Sequence, residues 1–92
     1  MLIVVSYDIS DDKRRRKVAK IMEGYGCRVQ YSVFECELDK KKLAELRQRL
    51  AKLVNAKAGE SVRFYPLTQD SAQKSSVLGR DLAQHPGVVE VV

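Results

Sequence analysis

Cysteine and histidine are scarce in this 92-residue chain, which has two of the first and one of the second. Cys27 and Cys36 show neither a CxxC spacing nor a neighbouring histidine cluster, so they read as free thiols in a reducing, intracellular compartment. No apolar run is long enough to cross a membrane. The opening Met1-Leu2-Ile3-Val4-Val5 has no basic region before it and reaches Asp8 within a few residues, which predicts a strand and not a signal peptide. Together these absences predict a cytoplasmic protein with no membrane partner. There is no low-complexity tract and no glycine-rich phosphate loop, which argues against disorder and against a small-molecule sensor. With 45% hydrophobic residues the chain suits one folded domain over 1–92. A domain of this size buries only about 60–65% of its unfolded surface, so support from a partner subunit is expected.

Acidic residues are fewer than basic ones, 12 against 17, giving a formal charge of +5. The distribution matters more than the total. Residues 13–30 contain seven basic side chains (Lys13, Arg14, Arg15, Arg16, Lys17, Lys20 and Arg28) and one acidic one, Glu23. Such a cluster raises the local potential and attracts polyanions, above all phosphate backbones. A basic helix that merely keeps the protein soluble is the competing reading.

The aliphatic run from Leu2 to Asp8 predicts a buried strand. Ser10, Asp11 and Asp12 offer N-cap oxygens to a helix running to about Tyr25 and closed by Gly26, with an apolar stripe of Val18, Ala19, Met22 and Tyr25. Residues 28–38 alternate with period two, as a strand does. They contain no Asn-Gly or Gly-Gly turn, so they admit either a tight or bulged reversal near Tyr31-Ser32 or one long bent strand. Asp39 caps a second helix, striped by Leu43, Leu46, Leu50, Leu53 and Val54 and expected to end near Gly59. Ser61–Leu67 is a third extended segment, which Pro66 places at a sheet edge. Residues 68–81 are polar without a clear period. The chain ends in a valine run, 88–92, that needs a sheet edge in its own subunit or another. This order predicts an α+β protein, a ferredoxin-like β-α-β-β-α-β sandwich with an extra C-terminal strand.

Asp8 stands where a strand end would hold a carboxylate rigidly toward a ligand; a brace for the following loop is the alternative. One carboxylate makes a poor metal site by itself, but Mg²⁺ often takes one or two and completes its shell with water and phosphate oxygens. Two copies of Asp8 across a dimer axis would meet that need. Arg15 lies three, four and seven residues before Val18, Ala19 and Met22, so it extends the apolar stripe and should lean toward the strand end carrying Asp8. Basic residues in a first helical turn oppose the helix dipole, at about 0.3–1 kcal/mol per exposed charge. Cations arranged around an anion would explain that cost.

Val5-Ser6-Tyr7-Asp8-Ile9 followed by acidic residues and Arg15, the stretch GCRVQYSVFE from Gly26 to Glu35, SVRFYPL from Ser61 to Leu67, and Val77-Leu78-Gly79 occur in this order along the chain. The whole resembles the CRISPR-associated Cas-two family. The resemblance implies a ferredoxin-like homodimer with facing sheets and a C-terminal segment, residues 82–92, that pairs with the partner subunit. It implies Asp8 as metal ligand and catalytic residue, with one Mg²⁺ shared by both copies. Tyr7, Arg15 and Phe34 are implied as further catalytic positions, tied to activity or binding. Lys17 matches a second basic position that is arginine in some members; lysine cannot make the bidentate phosphate contact. With Arg14, Arg16 and Arg28 it forms the expected nucleic-acid-binding set. The implied function is spacer acquisition: a metal-dependent endonuclease on single-stranded RNA, double-stranded DNA or both, and an adaptor for the CRISPR integrase subunit. A purely architectural adaptor and a toxin-type ribonuclease on the same fold are the alternatives. A generic RNA-binding module is disfavoured, because the basic-glycine-aromatic signature of such domains is absent.

Overall fold

The computed structural model describes residues 1–80 and the backbone of residues 89–91. The aliphatic run Leu2–Asp8 forms β1. It lies between Val33–Glu37 (β3) and Ser61–Pro66 (β4), antiparallel to both, and Cys27–Gln30 (β2) flanks β3 in the order β2-β3-β1-β4. Helices α1 (Asp12–Glu23) and α2 (Lys40–Ala51) complete the expected β-α-β-β-α-β order. Along β1 the odd residues Ile3, Val5 and Tyr7, with Ile9 beyond it, enter the core beside Val18, Met22, Phe34, Cys36, Leu46 and Leu50. Val4, Ser6 and Asp8 therefore lie on the sheet face turned away from that core. The fold is the ferredoxin-like α+β sandwich.

The start of α1 follows the sequence: the Asp11 carboxylate accepts from the Arg14 amide at 2.8 Å. Its end does not. The helix stops at Glu23 with Gly24 as the cap, in a right-handed conformation, and the Gly24 amide donates to Ile21. Gly26 serves another purpose. A Cβ there would stand 2.4 Å from both Cys36 Sγ and the Glu35 carbonyl oxygen, so glycine is what lets the chain pass close to β3.

The segment 28–38 is a hairpin, with Gln30 opposite Val33 and a bulge between Arg28 and Gln30. No residue other than glycine has positive φ among the described residues, so the turn is not one of the primed types that usually close a two-residue loop. Contacts from β1 hold it instead. The Tyr7 amide donates to the Ser32 carbonyl at 3.1 Å, and the Tyr7 hydroxyl lies 3.5 Å from the Tyr31 carbonyl.

Asp39 caps α2 as expected, accepting from the Lys42 amide at 2.7 Å. The helix ends at Ala51, short of the expected limit near Gly59. The Asn55 side chain caps a separate 3-10 turn, Ala56–Ala58, which Gly59 closes at φ 78°. The polar stretch after β4 holds a short helix, α3 (Gln69–Lys74), capped by Thr68, and strand β5 (Ser76–Leu78). β5 pairs in parallel with β6 (Val89–Val91) of the same chain. The remainder of 82–92, expected to reach a partner subunit, lies outside the described residues.

One carboxylate ties these pieces together. Glu60, immediately before β4, is buried and receives the Arg14 guanidinium on both oxygens, the Ser10 hydroxyl at 2.7 Å, and the amides of Ser10 and Asn55, each at 3.0 Å. Arg14 also donates to the Leu53 carbonyl at 2.8 Å. The Arg14 guanidinium, then the Ser10 hydroxyl, hold the Glu60 carboxyl well below the usual carboxylate range.

Two predictions follow from these contacts. Gly26→Ala should lower stability by about 1–3 kcal/mol, the cost of overpacking against atoms that cannot yield. Gly24→Ala, where the nearest atom would be 3.3 Å away, should cost less; urea midpoints compare the two. The lowered pKa of Glu60 sets the direction of the pH dependence. An unfolded chain takes up a proton near pH 4.5 that the folded chain refuses, so this contribution is complete above that pH and is lost as pH falls through and below it. Glu60→Gln should therefore be less stable than wild type at pH 7 and lose less further stability on acidification.

Candidate nucleic-acid interface

Asp8 is the last residue of β1, opposite Ser61 of β4, and its side chain is exposed. It makes no hydrogen bond or ion pair among the described residues. Arg15 reaches the same strand end, as its place on the helix predicts: one guanidinium nitrogen donates to the Ile9 carbonyl at 3.2 Å and another pairs with Asp12. The hydrogen bond to Asp12 raises the Arg15 pKa, so the guanidinium keeps its charge. Among the described residues no three histidine, cysteine or acidic side chains cluster as a metal site. Asp8 thus offers one carboxylate at this strand end, a donor set that fits Mg²⁺ only if a second carboxylate, water or phosphate completes it.

Tyr7 and Phe34 lie elsewhere than a contact with a bound strand requires. Phe34 is fully buried and Tyr7 is 4% exposed; their rings stack with centroids 6.2 Å apart. Arg28 covers them, its guanidinium 5.3 Å from the Phe34 centroid and 3.2 Å from the Tyr7 hydroxyl. Both rings are core, and what they do for the surface is to hold Arg28 and the hairpin in place.

The basic run on α1 divides its cations. Arg14 is committed to Glu60 inside the chain and is set apart from the expected nucleic-acid-binding residues. Lys13, Arg16, Lys17 and Lys20 line a groove of about 620 Å³ together with Arg49 and Lys52 of the second helix and the stretch following it, with Ile21 and Leu53 completing the lining. Among the described residues no carboxylate lines it. Crowded cations around a partly apolar floor attract a polyanion, and the long lysine stems supply much of the apolar wall. Arg49 and Lys52 were not anticipated from the sequence. Their spacing puts them on one side of α2 and its cap, but which helix they meet is a tertiary fact.

The two cysteines are free: Cys27 is exposed, and burial pushes the Cys36 thiol up to about 11. Cys36 is thus a small core residue and not a nucleophile. No helix among the described residues is long and apolar enough to cross a membrane.

Residues 1–75 match the family model described as CRISPR associated protein Cas2. A curated relative from Synechocystis sp., CRISPR-associated endoribonuclease Cas2 3, is 48% identical over 91 residues, covering 98% of each chain. The crystal structure of Streptococcus pyogenes Cas2 superposes with a TM-score of 0.74 at 36% identity, over 86% of this chain and 100% of that one. A chain of a partial Cas6-RT-Cas1–Cas2 complex gives a TM-score of 0.68 at 30% identity, over 80% of this chain and 86% of that one. A family model matching residues 1–75 and a relative 48% identical over nearly the whole of both chains show that the chain belongs to the CRISPR-associated Cas2 family.

Proposed function

We propose that this chain is a nucleic-acid-handling nuclease of CRISPR spacer acquisition, acting as a homodimer in which Asp8 of both copies holds one Mg²⁺. The observation that carries the reading is the exposed, unpaired carboxylate of Asp8 at the end of a strand, with the Arg15 cation fixed on the next residue's carbonyl. The relatives' names, endoribonuclease among them, support phosphodiester cleavage, and the complex containing Cas1 and Cas2 supports the CRISPR integrase subunit as a partner.

The open face of the sheet offers the surface for a second copy. Helices cover one face; the other carries Val4, Ser6, Val33, Glu35, Arg63, Tyr65 and Asp8. Stacking two such faces would bury the apolar side chains and bring the two β1 strands into one layer. The Asp8 carboxylates would then supply the second ligand that one chain lacks. Mg²⁺ held there would make its bound water more acidic and offset phosphate charge. Arg15 would stabilise the charge that develops on phosphate during cleavage, because its guanidinium is already oriented and loses little freedom on binding. The groove cations would hold the flanking backbone. Lys17 acts there as a point charge, without the paired contact an arginine would make.

A purely architectural role is the second reading, and the groove favours it. Its lining includes neither Asp8 nor Arg15, so binding needs no metal. Asp8→Asn separates the two. Mg²⁺-dependent cleavage of RNA and DNA should fall by orders of magnitude, while dimer formation and duplex binding persist. Full cleavage by a variant free of contaminating nuclease would remove Asp8 from the site. Integration of a labelled duplex with the cognate integrase then tells whether Asp8 also serves acquisition.

Binding through the groove should weaken steeply with salt. Neutralising Arg16 and Lys17 together should flatten the slope of log K against log salt by about two units, since each phosphate contact contributes about 0.9. Arg14→Ala, by contrast, should lower the urea midpoint, because it leaves Glu60 buried without its main partner. An unchanged slope in the double variant would take α1 out of the interface.

A further inference from the structure

Tyr31 is 69% exposed at the tip of the β2–β3 hairpin, beside the strand end that carries Asp8. Exposure alone would mean little, but the tip is not loose. Tyr7, one residue before Asp8, bonds the carbonyls of both turn residues, with its amide to Ser32 and its hydroxyl to Tyr31. The ring is also flanked by two cations, Arg15 and Arg28, each 5.9 Å from its centroid. Neither is free to wander. Arg15 is held by the Ile9 carbonyl and Asp12, and Arg28 by the Tyr7 hydroxyl and the Phe34 ring. Tyr7 and Phe34 cannot stack on a bound strand because they are buried, which leaves Tyr31 as the aromatic surface presented at this end of the sheet.

A largely exposed aromatic ring with two held guanidiniums near it has the chemistry of a nucleotide site: a base on the ring's exposed surface and its phosphates on the cations. We propose that Tyr31 is the stacking platform for one unpaired base of the nucleic acid, placing the adjoining phosphate at Arg15 and the Asp8 end of β1. The inference rests on the reading of this chain as a nucleic-acid-handling protein and adds a base-binding residue beside the Asp8 site. A base inside a duplex has both faces occupied by its neighbours, so the site selects single-stranded or splayed nucleotides. The groove between the helices would bind duplex and single strand alike through phosphate, and the selection for unpaired bases would come from Tyr31.

The absence of tryptophan from the chain gives a direct test. Tyr31→Trp introduces a single indole, whose emission is titrated with oligouridylate or oligodeoxythymidylate, and separately with a blunt duplex, in EDTA so that no cleavage occurs. Anisotropy of labelled oligonucleotide measures binding in the same samples. The expected result is quenching by the single strands, and duplex binding without quenching. Tyr31→Ala should lose about tenfold in single-strand affinity, the scale of one base–aromatic stack, and Tyr31→Phe should retain it, while duplex affinity changes in neither. Single strands that bind without quenching, or bind Tyr31→Ala as tightly as wild type, would overturn the proposal. So would no single-strand binding at all. Emission that shifts to the blue with protein concentration and ignores oligonucleotide would assign Tyr31 to a contact between copies and overturn it too. Because the test needs neither metal nor cleavage, a failure of the nuclease reading at Asp8 leaves its outcome unchanged.

Discussion

The Glu60 carboxylate is the constraint on which the placement of the basic helix depends. Burying a lone carboxylate is prohibitively costly, and this one is tolerated because its oxygens receive five donors from three parts of the chain. Ser10 comes from the loop after β1, Arg14 from α1, and Asn55 from the turn after α2. Arg14 extends the tie to the Leu53 carbonyl. The charge fixes how the first helix leaves the sheet and where the end of the second helix lies against it. Both the groove cations and the cation at the strand end take their positions from that junction.

Three consecutive arginines on α1 illustrate the consequence. A helix turns about 100° per residue, so Arg14, Arg15 and Arg16 point in three directions. The first is spent inside on Glu60, the second reaches the carbonyl after Asp8, and the third lines the groove. The helix-dipole cost that a basic first turn suggests is thereby offset for two of them, since Arg14 meets Asp11 and Glu60 and Arg15 meets Asp12. Lys13, Arg16, Lys17 and Lys20 remain for an external anion. The sequence shows a cluster of like charges; only the geometry shows that it is a divided one.

What was legible in the chain followed from periodicity. The aliphatic run of β1, the leucine stripe of α2 and the N-caps Asp11 and Asp39 are local signals, and each led to the right element. The hairpin was not legible, because its turn is secured by Tyr7 from another strand and not by turn residues of its own. The two misplaced helix ends share a cause. A glycine that caps a helix, one that closes a 3-10 turn and one that lets two strands approach look the same in sequence, and Gly24, Gly59 and Gly26 do one of these each. α3 has no buried residue, so it has no apolar stripe to betray it. At the site, Asp8 and Arg15 could be read from strand end and helix register. Glu60 could not, since nothing local distinguishes a buried glutamate from a solvated one.

The separation of Asp8 from the groove bears on how such a protein can carry both cleavage and scaffolding. Affinity drawn from a row of exposed cations on helix and helix-cap surfaces tolerates any phosphate backbone and survives the loss of one charge. Catalysis drawn from one carboxylate per chain, as proposed for Asp8, would not survive its loss and would also need a second copy or bound phosphate to complete a cation's shell. The two demands fall on different faces: the groove on the helical layer, Asp8 on the sheet's open side. Substitutions on one face therefore leave the other's chemistry intact, provided the Glu60 junction holds the layers in register. On the function proposed above, a chain built this way would keep its nucleic-acid affinity while the Asp8 site is altered, because the two would be coupled only through the fold.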